Sequence, residues 1–199
     1  EEFIQKLTMH LFELLQNDQN YDLARNMKEL FLYLLENYTK IVLPVAIESF
    51  NKLNTTQKMN LSMVMQNFNS DFVEAEFTSN FDKMFIENKE FVKFLIAAIN
   101  ITKKQENGKH KEFTPFVKSV LEKFANDKEV LRAISSNLNS FSWSGSVVPY
   151  YENLIELIEP FTKSDKPTLK EWAMQEIEYY KKRVESEKIR DEEHEWGVY

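Results

Sequence analysis

The stretch 142–146, Ser-Trp-Ser-Gly-Ser, places three hydroxyl side chains around one of the three glycines in this chain. A hydrolase that uses a serine nucleophile needs such an exposed turn and a neighbouring base that removes the hydroxyl proton. The stretch departs from the G-x-S-x-G nucleophile elbow because Ser142 stands where the first glycine would be. The three histidines are His10, His110 and His194, one near each end of the chain and one in a polar stretch. We therefore predict no catalytic serine here.

We interpret the same stretch as a connector between two helices. Gly145 is expected to end the preceding helix with a positive φ, and Ser146 is expected to cap the following helix. Phe141 and Trp143 are then expected to pack under the connector. The hydroxyl of Ser144 has no chemical role in this interpretation.

Acidic side chains could support a second kind of chemistry. Glu152, Glu156 and Glu159 lie three to four residues apart and therefore share one face of a predicted helix. Such spacing is typical of a solvated helix face. An acidic recognition patch and a pair of catalytic carboxylates are the alternatives.

Metal and thiol chemistry have no basis in this sequence. It contains no cysteine, which excludes disulfides, thiolate zinc sites, iron–sulfur clusters and cysteine nucleophiles. A di-iron bundle needs two Glu-x-x-His elements and a helical zinc site needs histidines four residues apart, and neither spacing occurs. We predict no catalytic, cofactor-binding or metal-ligating residues and no cofactor.

Two tyrosine pairs, 150–151 and 179–180, are candidates for an interaction surface. Adjacent residues on a helix point about 100° apart, so one ring of each pair is expected inside and its neighbour partly exposed. Exposed aromatic rings favour interfaces, with core packing as the alternative. Methionines 59, 63 and 65 are likewise interpreted as part of a pliable core, with a binding groove as the alternative.

Composition bounds the function class. The 199 residues are 43% hydrophobic and 29% charged, which is ordinary for a folded chain. Three glycines and five prolines supply too little turn chemistry for an all-β or Gly-rich nucleotide-binding fold. The formal charge of -7 argues against general nucleic-acid binding, although Lys103–Lys111 forms a small basic stretch.

No apolar run reaches the length of a membrane span, and no signal peptide is recognisable at the N-terminus. Together with the absence of cysteine, this predicts a cytoplasmic protein without membrane contact. Because the sequence begins at Glu1 rather than Met, we expect it to be part of a larger protein.

Apolar residues recur at three- and four-residue steps along nearly the whole chain, which predicts helices. About ten helices in five pairs are expected, the third beginning near Lys40 with Pro44 in its first turn. The predicted spans are 2–17, 23–38, 40–53, 54–68, 72–87, 90–101, 114–125, a helix after Asp127 to about 138, 147–161 and 168–193. A mobile polar loop is predicted over 103–112, and a charged helix over 179–195 is predicted to cap the fold.

The helix pairs repeat toward the C-terminus with a period near 37 residues. Val117, Val120, Leu121 and Phe124 recur 37 residues later as Leu154, Leu157, Ile158 and Phe161. Asp127, Leu131, Arg132 and Ser135 recur 38 residues later as Asp165, Leu169, Lys170 and Ala173. A single helical hairpin cannot bury its apolar face, so such units must stack.

The run 165–173, Asp-Lys-Pro-Thr-Leu-Lys-Glu-Trp-Ala, resembles the inter-helix turn and second helix of a HEAT-type repeat. The resemblance covers 113–185, rather more than a third of the chain. The C-terminal pattern also resembles the closing HEAT-like region of large multidomain bacterial proteins. It implies an α-solenoid whose extended surface binds another macromolecule or another part of the same polypeptide.

Together these observations predict an all-α fold, an α-solenoid (HEAT-like superhelix) of about five antiparallel helix pairs in one domain over 1–199. The predicted function is a non-catalytic protein-interaction or scaffold module of HEAT-repeat type, forming the C-terminal part of a larger bacterial protein. The predicted partner is another protein or another domain of the same polypeptide. The alternatives are a nucleic-acid-binding HEAT-like domain and a helical enzyme that uses carboxylates.

Overall fold

The computed structural model describes residues 1–17, 21–65, 86–104, 111–141 and 144–195, and these residues are predominantly helical. The all-α prediction is therefore confirmed. The chain divides into two compact units, Glu1–Asn100 and Ile101–Tyr199. A stack of repeats can itself divide in this way, so the single repeat domain stays a prediction.

The described helices of the first unit are α1 (Glu2–Asn17), α2 (Tyr21–Lys52), α3 (Thr55–Met65) and α4 (Lys89–Ala98). Helix α1 packs along α2, and α3 contacts the other three helices. Phenylalanine rings hold this core together, with the Phe12 and Phe31 centroids 5.3 Å apart and those of Phe50 and Phe91 5.4 Å apart. Edge-to-face ring pairs of this kind add to the stability gained from burying apolar area.

Helix α2 is broken at Tyr38, whose φ of -139° and ψ of 34° are not helical. The buried Thr39 hydroxyl donates a hydrogen bond to the Leu35 carbonyl at 2.5 Å, a side-chain bond that competes with the helix ladder and favours a bend. The predicted boundary between 23–38 and 40–53 is thus confirmed. Pro44 lies inside the second segment rather than in its first turn, contrary to the prediction.

Helix α3 begins with a reciprocal capping box. The Gln57 amide donates to Asn54 Oδ1 and the Asn54 amide donates to Gln57 Oε1, both at 3.0 Å, which satisfies two backbone donors at the helix start. This confirms the predicted start near Asn54. The predicted helix 72–87 lies almost entirely outside the described residues, and α4 ends at Ala98 instead of continuing to 101.

The second unit starts with a two-stranded hairpin and continues with helices. Its elements are β1 (Thr102–Lys104), β2 (Lys111–Phe113), α5 (Pro115–Lys123), α6 (Lys128–Leu138), α7 (Val148–Ile158), a 3-10 turn (Glu159–Lys163) and α8 (Pro167–Glu195). Helix α8 packs against α7 and the 3-10 turn, and α6 also contacts α8.

The hairpin corrects the predicted polar loop 103–112 at both of its ends. Thr102 pairs with Phe113 and Lys103 with Glu112 in an antiparallel register, while 105–110 lie outside the described residues. The hairpin is anchored at its open end by Ile101 and Phe113, which are each only 2% exposed. The sequence pattern missed these strands because the residues between the two apolar anchors are almost all charged or polar.

The repeat positions of the second unit form its core. Those that are buried are Val117, Val120, Leu121, Phe124, Leu131, Leu154, Leu157, Ile158, Leu169 and Ala173. The matching turn aspartates differ in role. Asp127 caps α6 by accepting hydrogen bonds from the amides of Glu129 and Val130, whereas the Asp165 side chain is 85% exposed and α8 starts two residues later.

Among the described residues no single helix has the length and apolar character of a membrane span. The bent segments Glu29–Leu35 and Asn37–Lys52 reach that length and composition only when they are taken together.

Candidate functional site

Helices α6 and α8 enclose a groove with a volume of about 210 Å³. Lys128 on α6 contacts Glu171 on α8, and Ser135, two turns further along α6, contacts Glu176 on α8. The residues that line the groove recur at helical spacing on each wall. They are Lys128, Leu131, Arg132 and Ser135 from α6 and Thr168, Glu171, Trp172, Gln175 and Glu176 from α8.

A hydrogen-bonded group of three side chains, Trp172–Ser135–Glu176, joins the two walls. Trp172 Nε1 donates to Ser135 Oγ at 2.8 Å, and Ser135 Oγ donates to Glu176 Oε1 at 2.6 Å. The indole is 7% exposed, so its N–H group is paired where water has little access. The Ser135 hydroxyl donates to a carboxylate and accepts from an indole, an arrangement that fixes the helices and lacks the nitrogen base of a nucleophilic serine.

The exposed charges of the groove differ between its two walls. Lys128 and Arg132 lie on α6 and Glu171 lies on α8, whereas Glu176 is half-buried and accepts the hydrogen bond from Ser135. The ion pair between Lys128 Nζ and Glu171 Oε2 is long at 4.0 Å, and both side chains are more than half exposed. Arg132 is exposed, and within the described part of the chain it forms no ion pair or hydrogen bond. An exposed pair of this kind stabilises a fold weakly, so these charges are available to another molecule.

A tyrosine cluster joins α7 to α8 beyond the groove. The Tyr151 and Tyr180 rings stack with centroids 5.8 Å apart, and Arg183 Nε donates to the Tyr151 hydroxyl at 3.3 Å. The Tyr150 hydroxyl donates to the Leu138 carbonyl at 2.7 Å. Burial raises the pKa of Tyr150 to about 12, with a smaller contribution from the neighbouring Tyr151. Burial also raises the pKa of Tyr180, and the Glu176 carboxylate raises it further.

The prediction that each tyrosine pair has one buried and one exposed ring holds for the second pair only. Tyr179 is 45% exposed whereas Tyr180 is fully buried, so the second pair does split into an outer and an inner ring. Tyr150 and Tyr151 are both buried, because the loop side chain Phe141 covers Tyr150 with centroids 4.0 Å apart. The predicted outer ring of the first pair is therefore absent from the surface.

The connector is described at 144–146, while Ser142 and Trp143 lie outside the described residues. Gly145 has the predicted positive φ, 86°, but it does not end a helix, because α6 ends at Leu138 with Asn139 as its C-cap. Ser146 Oγ accepts from the Val148 amide at 3.3 Å and donates to Asp191 Oδ2 at 2.5 Å. Val147 rather than Ser146 is the N-cap of α7 and no side chain caps it, contrary to the prediction, although the Ser146 hydroxyl does bond the first amide of the helix and also contacts α8.

The remaining candidates do not converge on one place. Glu152 pairs with Lys188 at 3.3 Å, while Glu156 on α7 and Glu159 in the 3-10 turn are exposed. His10 faces Glu13 at 3.6 Å on the exposed side of α1. Met59 is 62% exposed. His110 and the side chains of His194, Met63 and Met65 lie outside the described residues.

The charged helix predicted over 179–195 is the second half of α8, and it contacts α7 and the connector. Its polar contacts to these elements include Arg183 with Tyr151, Lys188 with Glu152 and Asp191 with Ser146. Glu187 is 6% exposed and lies 2.6 Å from an Arg190 nitrogen. The role of this helix as a cap stays a prediction.

Sequence reasoning did not predict the groove itself. It identified Arg132 and Ser135 only as repeat positions, and it did not bring Glu176 into any site. One usable signal is the polar residue at Ser135 where the next repeat has Ala173, since a hydroxyl in an otherwise apolar stripe indicates a buried partner.

The chain matches none of the protein-family models, curated proteins or solved structures with which it was compared. The HEAT-like resemblance therefore stays a prediction from the repeat pattern.

Proposed function

We propose that the chain is a non-catalytic protein-interaction or scaffold module, a HEAT-type α-solenoid of a cytoplasmic bacterial protein. The observation that carries the proposal is the α6–α8 groove, where exposed charges of both signs surround a satisfied hydrogen-bonded group. A site of this kind can recognise a charged surface without chemical change. The expected occupant is another protein or another domain of the same polypeptide.

The solenoid is supported by the contacts between equivalent helices of consecutive repeats. Helices α6 and α8 carry matched repeat positions, and the contacts between them join residues 37 to 43 positions apart. Contacts at a separation close to one repeat are what a stack of helical hairpins requires. The burial of the repeat positions in both copies supports the same arrangement.

A non-catalytic role is supported by how the described hydroxyls and carboxylates are engaged. The hydroxyls of Ser135 and Ser146 both donate to carboxylates. Both carboxylates of the groove come from α8, whereas a helical enzyme with two catalytic carboxylates is expected to gather them from different helices.

Site-directed photo-crosslinking in lysate of the source organism tests this proposal. A photo-reactive residue at Gln175, which lines the groove, should capture one protein that a Lys128→Glu, Arg132→Glu double variant loses. The photo-reactive residue placed instead at position 170, where Lys170 is exposed on α8 outside the groove, should not capture that protein. Capture of nucleic acid at Gln175, or a hydrolytic activity abolished by Glu176→Gln, would contradict the proposal.

A further inference from the structure

The basic charges of the α6–α8 groove have the spacing of neighbours on a helix surface. On one wall Lys128 and Arg132 are four residues apart, and on the other Glu171 and Glu176 are five apart with Gln175 between them. Side chains three to four residues apart on a helix lie one above the other, roughly 5–6 Å apart. A third helix laid along the groove would therefore repeat its charges in step with the α6 wall, whereas Glu171 and Glu176, five residues apart, point about 140° apart around α8.

The groove is suited to side-chain ends of a larger partner rather than to a whole small molecule. Pockets for small ligands usually enclose about 300–1,000 Å³ and are mainly apolar. This groove holds about 210 Å³, and the indole of Trp172, which is part of its lining, is already covered by the chain. Little apolar surface is left to bury, so binding energy must come from several charges presented together.

The sign of those charges defines the partner. A uniformly acidic peptide would be attracted by Arg132 and Lys128 but repelled by Glu171 and Glu176. A uniformly basic peptide would be attracted by the two glutamates but repelled by Arg132 and Lys128. Only a segment with acidic residues on one flank and basic residues on the other complements both walls. Opening the 4.0 Å contact between Lys128 and Glu171 costs little, because ion pairs between exposed side chains contribute little to stability.

We infer that the groove binds a helical segment of a partner protein that carries Asp or Glu on one flank and Lys or Arg on the other. The acidic flank lies on Arg132 and Lys128, and the basic flank lies on the exposed Glu171, while Glu176 stays hydrogen-bonded to Ser135. Arg132 is the main anchor, since its planar guanidinium can hold a carboxylate with two parallel hydrogen bonds. This inference rests on the proposed interaction function and names the class of partner.

Fluorescence anisotropy of a labelled helical peptide with the full chain tests the inference. The probe is a capped alanine-based peptide of about 17 residues, long enough to be partly helical, with Glu at i and i+4 and Arg at i+3 and i+7. We expect it to bind, and we expect about 0.5 M NaCl to weaken binding strongly. Peptides with only Glu or only Arg at the same four positions should bind more weakly.

Matched variants locate the binding. Arg132→Ala should weaken binding of the mixed-charge peptide by roughly fivefold, the upper range for one partly exposed ion pair. Lys170→Ala changes the exposed repeat equivalent of Arg132 outside the groove and should leave the affinity within a factor of about two. Both changes remove an exposed side chain, and circular dichroism verifies the fold.

Equal binding of the three peptides, or the same affinity for Arg132→Ala and the unmodified protein, would overturn the inference. A protein captured from Gln175 through a segment that is not a mixed-charge helix would also overturn it, while leaving the interaction function intact. If Gln175 captures no protein, the interaction function itself fails.

Discussion

At the scale of single residues, Ser135 shows how one hydroxyl can hold two helices together. It lies on α6, accepts from the Trp172 indole and donates to the Glu176 carboxylate, and both partners lie on α8. The equivalent position of the next repeat is Ala173, which is fully buried. Serine is thus present in the repeat where the buried N–H group of Trp172 needs a hydrogen-bond partner.

Replacement of Ser135 tests this role. Ser135→Ala leaves the Trp172 donor and the Glu176 acceptor without their shared partner, so the free energy of unfolding should fall by about 1–2 kcal/mol. Ser136→Ala is the control, because Ser136 is the exposed neighbour on the same helix and its change alters helix propensity equally. Urea unfolding of both variants measures the difference, and equal values for the two would contradict the role.

Tyr150 carries a second residue-scale prediction, on pH. Its pKa is raised from 10.0 to about 12 by burial and by Tyr151, so the neutral hydroxyl is favoured in the folded state. Its contribution to stability is complete below pH 10 and is lost as the pH rises toward 12. The difference in unfolding free energy between the unmodified protein and Tyr150→Phe should therefore shrink over that window. A difference that stays constant across it would contradict this account.

At the scale of elements, helix caps explain why many boundaries could be predicted. The Asn54–Gln57 capping box and the caps at Thr114 and Asp127 all use side chains that recognisably start helices in sequence. The same logic fails at Asp165, where the motif is present but the side chain points into solvent and α8 begins at Pro167. A one-residue difference in turn length separates the two cases.

This difference predicts unequal costs for two equivalent substitutions. Asp127→Ala removes the acceptor for two backbone amides and should lower the free energy of unfolding by about 1 kcal/mol. Asp165→Ala removes only an exposed contact with Lys166 and should change it by less than about 0.5 kcal/mol. Thermal or urea unfolding distinguishes the two, and a larger loss at Asp165 would refute the assignment of the caps.

The features that the sequence could not predict have two physical causes. Periodicity reports which face of a helix is buried, and it correctly placed Leu121, Leu154 and Ile158 in the core. It does not report which buried faces meet, so the meeting of Ser135 with Trp172 and Glu176 was not foreseen. The short hairpin was missed because strands of three residues give too little alternation to recognise.

At the scale of the whole molecule, the second unit has what a separate folding domain needs. Residues 101–199 contain their own buried core, and the Thr114 amide donates to the Ile101 carbonyl at 3.0 Å, which joins the start of the unit to its first helix cap. Chains of this size usually bury enough apolar area to fold alone. The groove and the tyrosine cluster both lie within this unit.

We therefore expect a fragment of residues 101–199 to fold cooperatively by itself, with helical circular dichroism and a single urea transition. Leu121 is 1% exposed, so Leu121→Ala should lower the unfolding free energy of the fragment by about 2–5 kcal/mol. Glu122→Ala, at the exposed neighbouring position, is the control and should change it by less than about 0.5 kcal/mol. A fragment without a cooperative transition would show that the second unit depends on residues 1–100 for its stability. The charges that line the groove would then be held in place by the whole chain rather than by α6, α7 and α8.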